Sequence, residues 1–154
     1  VIALAGGGRA IQPDDLHVTL CFLGSVDESR IDALRSRAAG LAAVSFTLQF
    51  DRIEFWRENR VLAACAQAPA AGSSLAQALR TAASELGLAP DRKPWRPHMT
   101  LARSVLPKLL PAEPQAERRL STPLTLAAGS FFLAESLPGT QRRRYATLAS
   151  WPLR

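Results

Sequence analysis

The sequence predicts an α+β fold, and three observations carry that prediction. Apolar residues switch along the chain between period two and period 3.6, the signatures of half-buried strands and amphipathic helices. Strand-like runs separated by short turns form hairpins, which are antiparallel, instead of alternating one by one with helices as in a doubly wound parallel sheet. The length, 154 residues with 47% hydrophobic and 21% charged, suits one ordinary domain with a real core.

The elements follow in order. The run Leu16-His17-Val18-Thr19-Leu20-Cys21-Phe22-Leu23 has strand length and closes at Gly24, with His17, Thr19 and Cys21 on one face and Val18, Leu20 and Phe22 on the other. Ser25 and Glu28 have capping-box spacing, and Ile31, Leu34, Ala38 and Leu41 give a helix to about Gly40. Residues Ser45 to Phe55 alternate as a strand, with Phe46, Leu48 and Phe50 against Thr47 and Gln49. After the polar turn Arg57-Glu58-Asn59, Arg60 to Ala66 completes a hairpin. Ser73 or Ser74 is expected to cap a second helix whose stripe is Leu75, Ala78, Leu79, Ala82 and Leu86, stopped by Gly87 and Pro90. His98 to Arg103 reads as a strand. Ser104 to Pro123, with four prolines, reads as a long loop. Leu124 to Ala134 and Arg144 to Trp151 read as closing strands around a turn at Leu137-Pro138-Gly139-Thr140.

Composition excludes several classes. No apolar run approaches the eighteen or so residues of a bilayer span, and Val1-Ile2-Ala3-Leu4 lacks the basic start of a signal peptide, so a soluble cytoplasmic protein is expected. Cys21 and Cys65 offer neither a disulfide framework nor a zinc ligand set and read as buried free thiols. The net charge is +6, with seventeen Arg against two Lys, Lys93 and Lys108. Guanidinium forks suit phosphate, and although base composition accounts for much of an Arg bias, the sign of the charge favours an anionic partner. Gly6-Gly7-Gly8 lacks the spacing of a phosphate loop and reads as a flexible connector; an upstream segment is expected to be missing near it.

Only two histidines are present, and each opens the same tetrad: His17-Val18-Thr19-Leu20 and His98-Met99-Thr100-Leu101. By chance, roughly one sequence of this composition in ten thousand would place both so. Period-two alternation aims each His and its Thr at one side of a sheet. If the strands are neighbours, a groove receives two imidazoles and two hydroxyls. Two imidazoles on opposite sides of a phosphorus can activate an attacking oxygen and protonate a departing one. The threonine hydroxyls can donate to the non-bridging oxygens as charge builds there. Arg103, five residues after His98, reaches that face only if a bulge or turn shifts the alternation. No metal ligand set accompanies the histidines, and no metal or cofactor is expected.

With the doubled H-x-T-L motif, Pro13-Asp14-Asp15-Leu16 before the first copy, Phe22-Leu23-Gly24 after it, Pro94-Trp95-Arg96-Pro97 before the second, Ala102-Arg103 after it, and an ending in Tyr145, Leu148 and Trp151-Pro152-Leu153, the chain resembles the 2H phosphoesterase superfamily. Within it the resemblance is to the bacterial RNA 2′,3′-cyclic phosphodiesterases, also called 2′-5′ RNA ligases. It implies a bilobal α+β fold, two antiparallel sheets flanking a central cleft with helices outside. Residues 1–154 would form a single domain of two pseudo-symmetric lobes, each lending one H-x-T-L strand. It further implies metal-independent opening of an RNA 2′,3′-cyclic phosphate to a 2′-phosphate, with reversible 2′-5′ joining in some members. By the same resemblance His17 is the proton donor, His98 the proton acceptor, Thr19 and Thr100 phosphate ligands, and Arg103 a basic residue of the second motif. Phe22, Trp95 and Tyr145 are candidate base-stacking or cleft-wall residues. Partners are RNA ends or small nucleotides carrying a 2′,3′-cyclic phosphate, and a monomer away from membranes is expected. One departure is at the start, where Val1 to Ala10 must stand for both a strand and a helix of the family.

Other classes stay open on the sequence. They are a phosphodiesterase acting on another small cyclic phosphate, such as ADP-ribose 1″,2″-cyclic phosphate, or on a 2′-5′ linked nucleotide; a non-catalytic nucleotide-binding module; and a small metal-dependent hydrolase using His17, His98, Cys21 and a carboxylate. The run Arg142-Arg143-Arg144 reads either as an RNA phosphate contact or as a solvated turn.

Overall fold

The structure, a computed structural model, describes residues 8–106, 117–137 and 144–154. Expectations for residues 1–7, including most of the triple glycine, for the middle of the long loop, for most of the turn at 137–140 and for Arg142 and Arg143 lie outside the described residues. The element order is β1 (Arg9–Ala10), α1 (Ile31–Ala39), β2 (Phe46–Trp56), β3 (Val61–Ala66), α2 (Ala70–Glu85), β4 (His98–Arg103), β5 (Glu117–Ala128), β6 (Ser130–Ser136) and β7 (Tyr145–Pro152). Single 3-10 turns lie at Pro13–Asp15 and Glu28–Arg30. The fold is α+β: a five-stranded antiparallel sheet in the order β1-β4-β3-β2-β5 and a two-stranded sheet of β6 and β7.

Two bulges give the main sheet its two-faced character. Up to Phe50, the apolar residues of β2 are Phe46, Leu48 and Phe50; beyond Asp51 they are Ile53 and Phe55. The pairing records the slip, since Phe50 faces Ala66 while Arg52 faces Cys65, leaving Asp51 as the extra residue. Arg52, Glu54 and Trp56 thereby move to the face of Val61, Ala63 and Cys65, opposite the core of Leu48, Phe50, Ala64, Ala66 and Met99. In β4, Thr100 faces Ala63 and Ala102 faces Leu62, so Leu101 is the extra residue. This bulge supplies the shift that Arg103 needs to share a face with His98 and Thr100.

The core lies on the other face. Phe50 and Phe55 are fully buried, each contributing about 1.5–3 kcal/mol by burial. The helices and β6–β7 close a further cluster of Ala38, Leu75 and Phe131, where the Phe131 and Trp151 rings stack at 5.2 Å.

The structure corrects several local expectations. Residues 16–23 do not form a laddered strand; they make one bridge, Val18 to Met99. The Thr19 carbonyl is taken instead by the Trp95 indole N–H at 2.9 Å. Asp27, not Ser25, is the capping residue here: its carboxylate accepts from the Ser29 N–H at 2.9 Å and caps the 3-10 turn Glu28–Arg30 that leads into α1, while α1 itself starts after Arg30 with no side-chain cap. The second helix begins a turn earlier than Ser73, at Ala70 after Pro69, whose carbonyl accepts the Ser73 N–H. It ends as expected: Gly87, at φ 74°, lets the Leu88 N–H reach the Ala83 carbonyl at 3.0 Å. Part of the anticipated long loop is strand, because β5 starts at Glu117 and tolerates Pro123 on a sheet edge. The single strand expected over 124–134 is two, split at Gly129 into different sheets.

Candidate active site

The bridge between Val18 and Met99 is antiparallel, and its register sets His17 across from Thr100 and Thr19 across from His98. Val18 and Met99 pack into the core, so the alternation turns both histidines and both threonines to the opposite face. The two tetrads meet with each imidazole beside the other's hydroxyl, an arrangement that interchanging the tetrads preserves.

Both imidazoles are fixed in the same way. His17 Nδ1–H donates to the Asp15 carbonyl at 2.7 Å, and His98 Nδ1–H donates to the Arg96 carbonyl at 2.9 Å. A carbonyl can only accept, so each Nδ1 carries a proton and each Nε2 is the atom that exchanges one. Each ring also meets an aromatic edge to face: His17 meets Tyr145 at 4.5 Å and 66°, His98 meets Trp56 at 4.7 Å and 64°. Both histidines are half-buried.

Behind His98 lies a charged network that inspection of the tetrads missed. Glu54, only 7% exposed, accepts the Trp56 indole N–H at 2.9 Å and the Arg96 guanidinium on Oε2, and Arg52 Nε at 3.0 Å on Oε1. Arg96 also lies 5.5 Å from the centre of the Trp56 ring. Burial raises the Glu54 carboxyl, but the hydrogen bonds from Trp56 and Arg96 and the neighbouring charge outweigh it and leave it below its ordinary range. The signal in the sequence was the phase change from Phe46-Leu48-Phe50 to Ile53-Phe55, which betrays the bulge. Cys65, across the ladder from His98, is fully buried, and burial foremost pushes its thiol up to about 12, so it stays protonated and unreactive. Desolvation likewise raises Cys21.

The other sequence-predicted residues are placed as follows. Arg103 is exposed on the histidine face, opposite Arg9 in the β1–β4 ladder. Arg9 went unnoticed in the sequence because only pairing brings it there. Tyr145 lies against His17. Phe22 is 70% exposed. Trp95 packs with the core cluster of Leu48, Phe50 and Met99, edge-on to Phe46 at 6.0 Å, and reaches the first tetrad through its N–H on the Thr19 carbonyl. Among the described residues, no group of three or more His, Cys, Asp or Glu side chains could hold a metal ion, and no helix is long and apolar enough to cross a membrane.

Comparison with known proteins points one way. The profile of the 2′-5′ RNA ligase superfamily matches residues 5–139. The RNA 2′,3′-cyclic phosphodiesterase of Escherichia coli K12 is 32% identical over 148 residues, 95% of this chain and 80% of the relative. The enzyme of that name from Bacillus subtilis is 33% identical over 98 residues, 60% of this chain and 54% of the relative. The crystal structure of E. coli LigT complexed with 3′-AMP superimposes with a TM-score of 0.78 at 30% identity, covering 96% of this chain and 82% of that one.

Proposed function

The chain belongs to the 2′-5′ RNA ligase superfamily, and from that premise we propose that it is an RNA 2′,3′-cyclic phosphodiesterase, which opens a terminal cyclic phosphate to a 2′-phosphate without a metal or other cofactor. The observation that carries the mechanism is the antiparallel meeting of the two tetrads with both Nδ1 atoms already engaged. His98, neutral with a lone pair on Nε2, takes a proton from water as the water oxygen bonds to phosphorus. His17, protonated on both nitrogens, gives its Nε2 proton to the 3′ oxygen as the P–O3′ bond breaks. One water is consumed, the product is a 2′-phosphomonoester with a free 3′ hydroxyl, and the two imidazoles have exchanged protonation states, which solvent resets. Thr19 and Thr100, each across the bridge from an imidazole, donate to the non-bridging oxygens.

Arg103, with Arg9 beside it, supplies positive charge on the same face for the substrate's phosphates. Tyr145, Trp95 and the exposed Phe22 are read as walls and a stacking surface for the terminal base. The two tetrads are read as the contributions of two related lobes of a single domain. In 2′-5′ joining the groups keep these roles: a 5′ hydroxyl takes the place of water, gives its proton to His98 as its oxygen bonds to phosphorus, and His17 protonates the departing 3′ oxygen. Cleavage of the 2′-5′ linkage back to the cyclic phosphate runs the steps in reverse with the roles exchanged. A cytoplasmic monomer acting on RNA ends or small nucleotides fits this chemistry.

The test is hydrolysis of a short RNA ending in a 2′,3′-cyclic phosphate with EDTA present, the phosphate position being read by NMR. A 2′-phosphate product under chelation is expected, with His17→Ala and His98→Ala each slower by about 10²–10⁴-fold. A 3′-phosphate product, loss of activity on chelation, or wild-type rates in either variant would overturn the mechanism.

A further inference from the structure

Among the described residues only two charged side chains are buried, Asp15 at 5% and Glu54 at 7% exposure, and each stands behind one of the two histidines. We propose that Asp15 and Glu54 are positioning residues: each fixes the backbone carbonyl and the aromatic ring that together hold one imidazole, Asp15 for His17 and Glu54 for His98.

The two connections are built differently and end alike. At His98, the Arg96 carbonyl accepts Nδ1–H and the Trp56 ring braces the imidazole. Both of these residues end on one oxygen, Glu54 Oε2, which takes the indole N–H and the Arg96 guanidinium, while Oε1 is held by Arg52. At His17, Asp15 itself supplies the carbonyl. Its Oδ1 accepts the Arg144 N–H at 2.9 Å, which fixes the backbone of the residue before Tyr145. The outcome is an aromatic ring at 4.5 or 4.7 Å and 66° or 64° from the imidazole. Asp15 lies 39 residues before Glu54 in the chain, and Tyr145 comes 89 residues after Trp56, so no local repeat imposes the likeness.

Burying carboxylates is costly even when they are fully paired, and an apolar residue of similar volume often stabilises a fold as well or better. Their placement at these two points is explained by what they hold. An imidazole fixed by one hydrogen bond can still tilt about it. A second contact on the ring removes that freedom and aims Nε2 into the groove, where loss of alignment is expensive for catalysis. Both carboxylates are buried and bound to these neighbours, so their effect passes through Trp56, Arg96 and Tyr145.

The inference rests on the two-histidine reading above, and the experiment separates the two. Hydrolysis of a 2′,3′-cyclic mononucleotide is measured for Glu54→Ala, Glu54→Gln, Asp15→Ala, Asp15→Asn and Trp56→Phe, beside His17→Ala and His98→Ala. The imidazole tautomers are read in parallel by ¹⁵N NMR, at a pH high enough that both rings are neutral. The alanine variants are expected to lose kcat by about 10- to 100-fold with KM little changed, and the affected histidine to lose its single Nδ1–H tautomer while the other keeps it. Asp15→Asn, which retains an acceptor for the Arg144 N–H, restores most of the loss, and Glu54→Gln restores part. Trp56→Phe keeps an aromatic ring beside His98, though a smaller one, and deletes the donor to Glu54. It is expected to reproduce the Glu54→Ala loss, with no further loss in the double variant, and it carries the test if Glu54→Ala fails to fold. Unchanged kcat in Trp56→Phe and in the folded alanine variants, with both histidine variants inactive, overturns the positioning role alone. Wild-type rates in the histidine variants overturn the two-histidine reading and this inference with it.

Discussion

Glu54 is an ionised group in a place that by burial alone favours the neutral acid. Desolvation pushes its carboxyl up, and the Trp56 N–H with the Arg96 and Arg52 guanidiniums pulls it further down. The sign of the consequence follows from linkage. A carboxyl lowered in the native state stabilises the fold above its unfolded value, near 4.3, and loses that contribution as pH falls through the lower native value. Comparison of wild type with Glu54→Gln removes the titrations they share. The difference in urea midpoint is expected to be largest at neutral pH and to shrink below about pH 5. A difference that stays constant between pH 7 and pH 3 would show that Glu54 acts through shape alone. At the same scale, the four residues of the tetrads could be read directly because His is scarce here and both copies repeat one pattern. Glu54, Trp56, Arg96, Arg9 and Asp15 could not, because their roles come from who lies beside them.

The elements were legible where one chain segment suffices to define them. The stripe of α2 and the β2–β3 hairpin survive in the structure, with the alternation of β2 holding as far as Phe50. Residues 16–23 alternate equally well, yet a strand needs a laddered neighbour, and only Val18 has one there. Bulges at Asp51 and Leu101 are likewise properties of a pair of strands. Gly72, in the first turn of α2, shows how one element positions another. A Cβ there would stand 2.5 Å from Cζ3 and 2.7 Å from Cη2 of Trp95, and 3.2 Å from Cε2 of Phe46. The indole is a rigid ring anchored by its N–H on the Thr19 carbonyl, so it cannot yield without moving the first tetrad. In an open helix Gly→Ala gains about 1 kcal/mol; here overpacking costs about 1–3 kcal/mol. Gly72→Ala is therefore expected to lower the urea midpoint and to slow hydrolysis through Thr19. A midpoint at or above wild type would show that the contact relaxes freely.

At the scale of the whole molecule the question is how a net charge of +6 is used. Arg52 and Arg96 are committed to Glu54, and Arg52 also to Asp51 at 2.7 Å, so they contribute little field to a passing phosphate. Arg9 and Arg103 differ: they lie opposite each other in an antiparallel ladder, a like-charge pairing that is unfavourable without an anion between or above the two. They share the face of the two tetrads, so under the proposed mechanism a phosphate next to the cyclic end meets both. Contacts of this kind release counterions, and each phosphate neutralised on a single strand steepens the fall of log(kcat/KM) with log salt by about 0.7. A cyclic mononucleotide carries only its reacting phosphate. A tetranucleotide with the same end is therefore expected to show the steeper salt dependence, and Arg9→Ala or Arg103→Ala to reduce its slope while leaving the slope for the mononucleotide nearly unchanged. Equal slopes for the two substrates would confine recognition to the cyclic phosphate itself. The charge of the chain would then serve long-range steering and not a track for RNA.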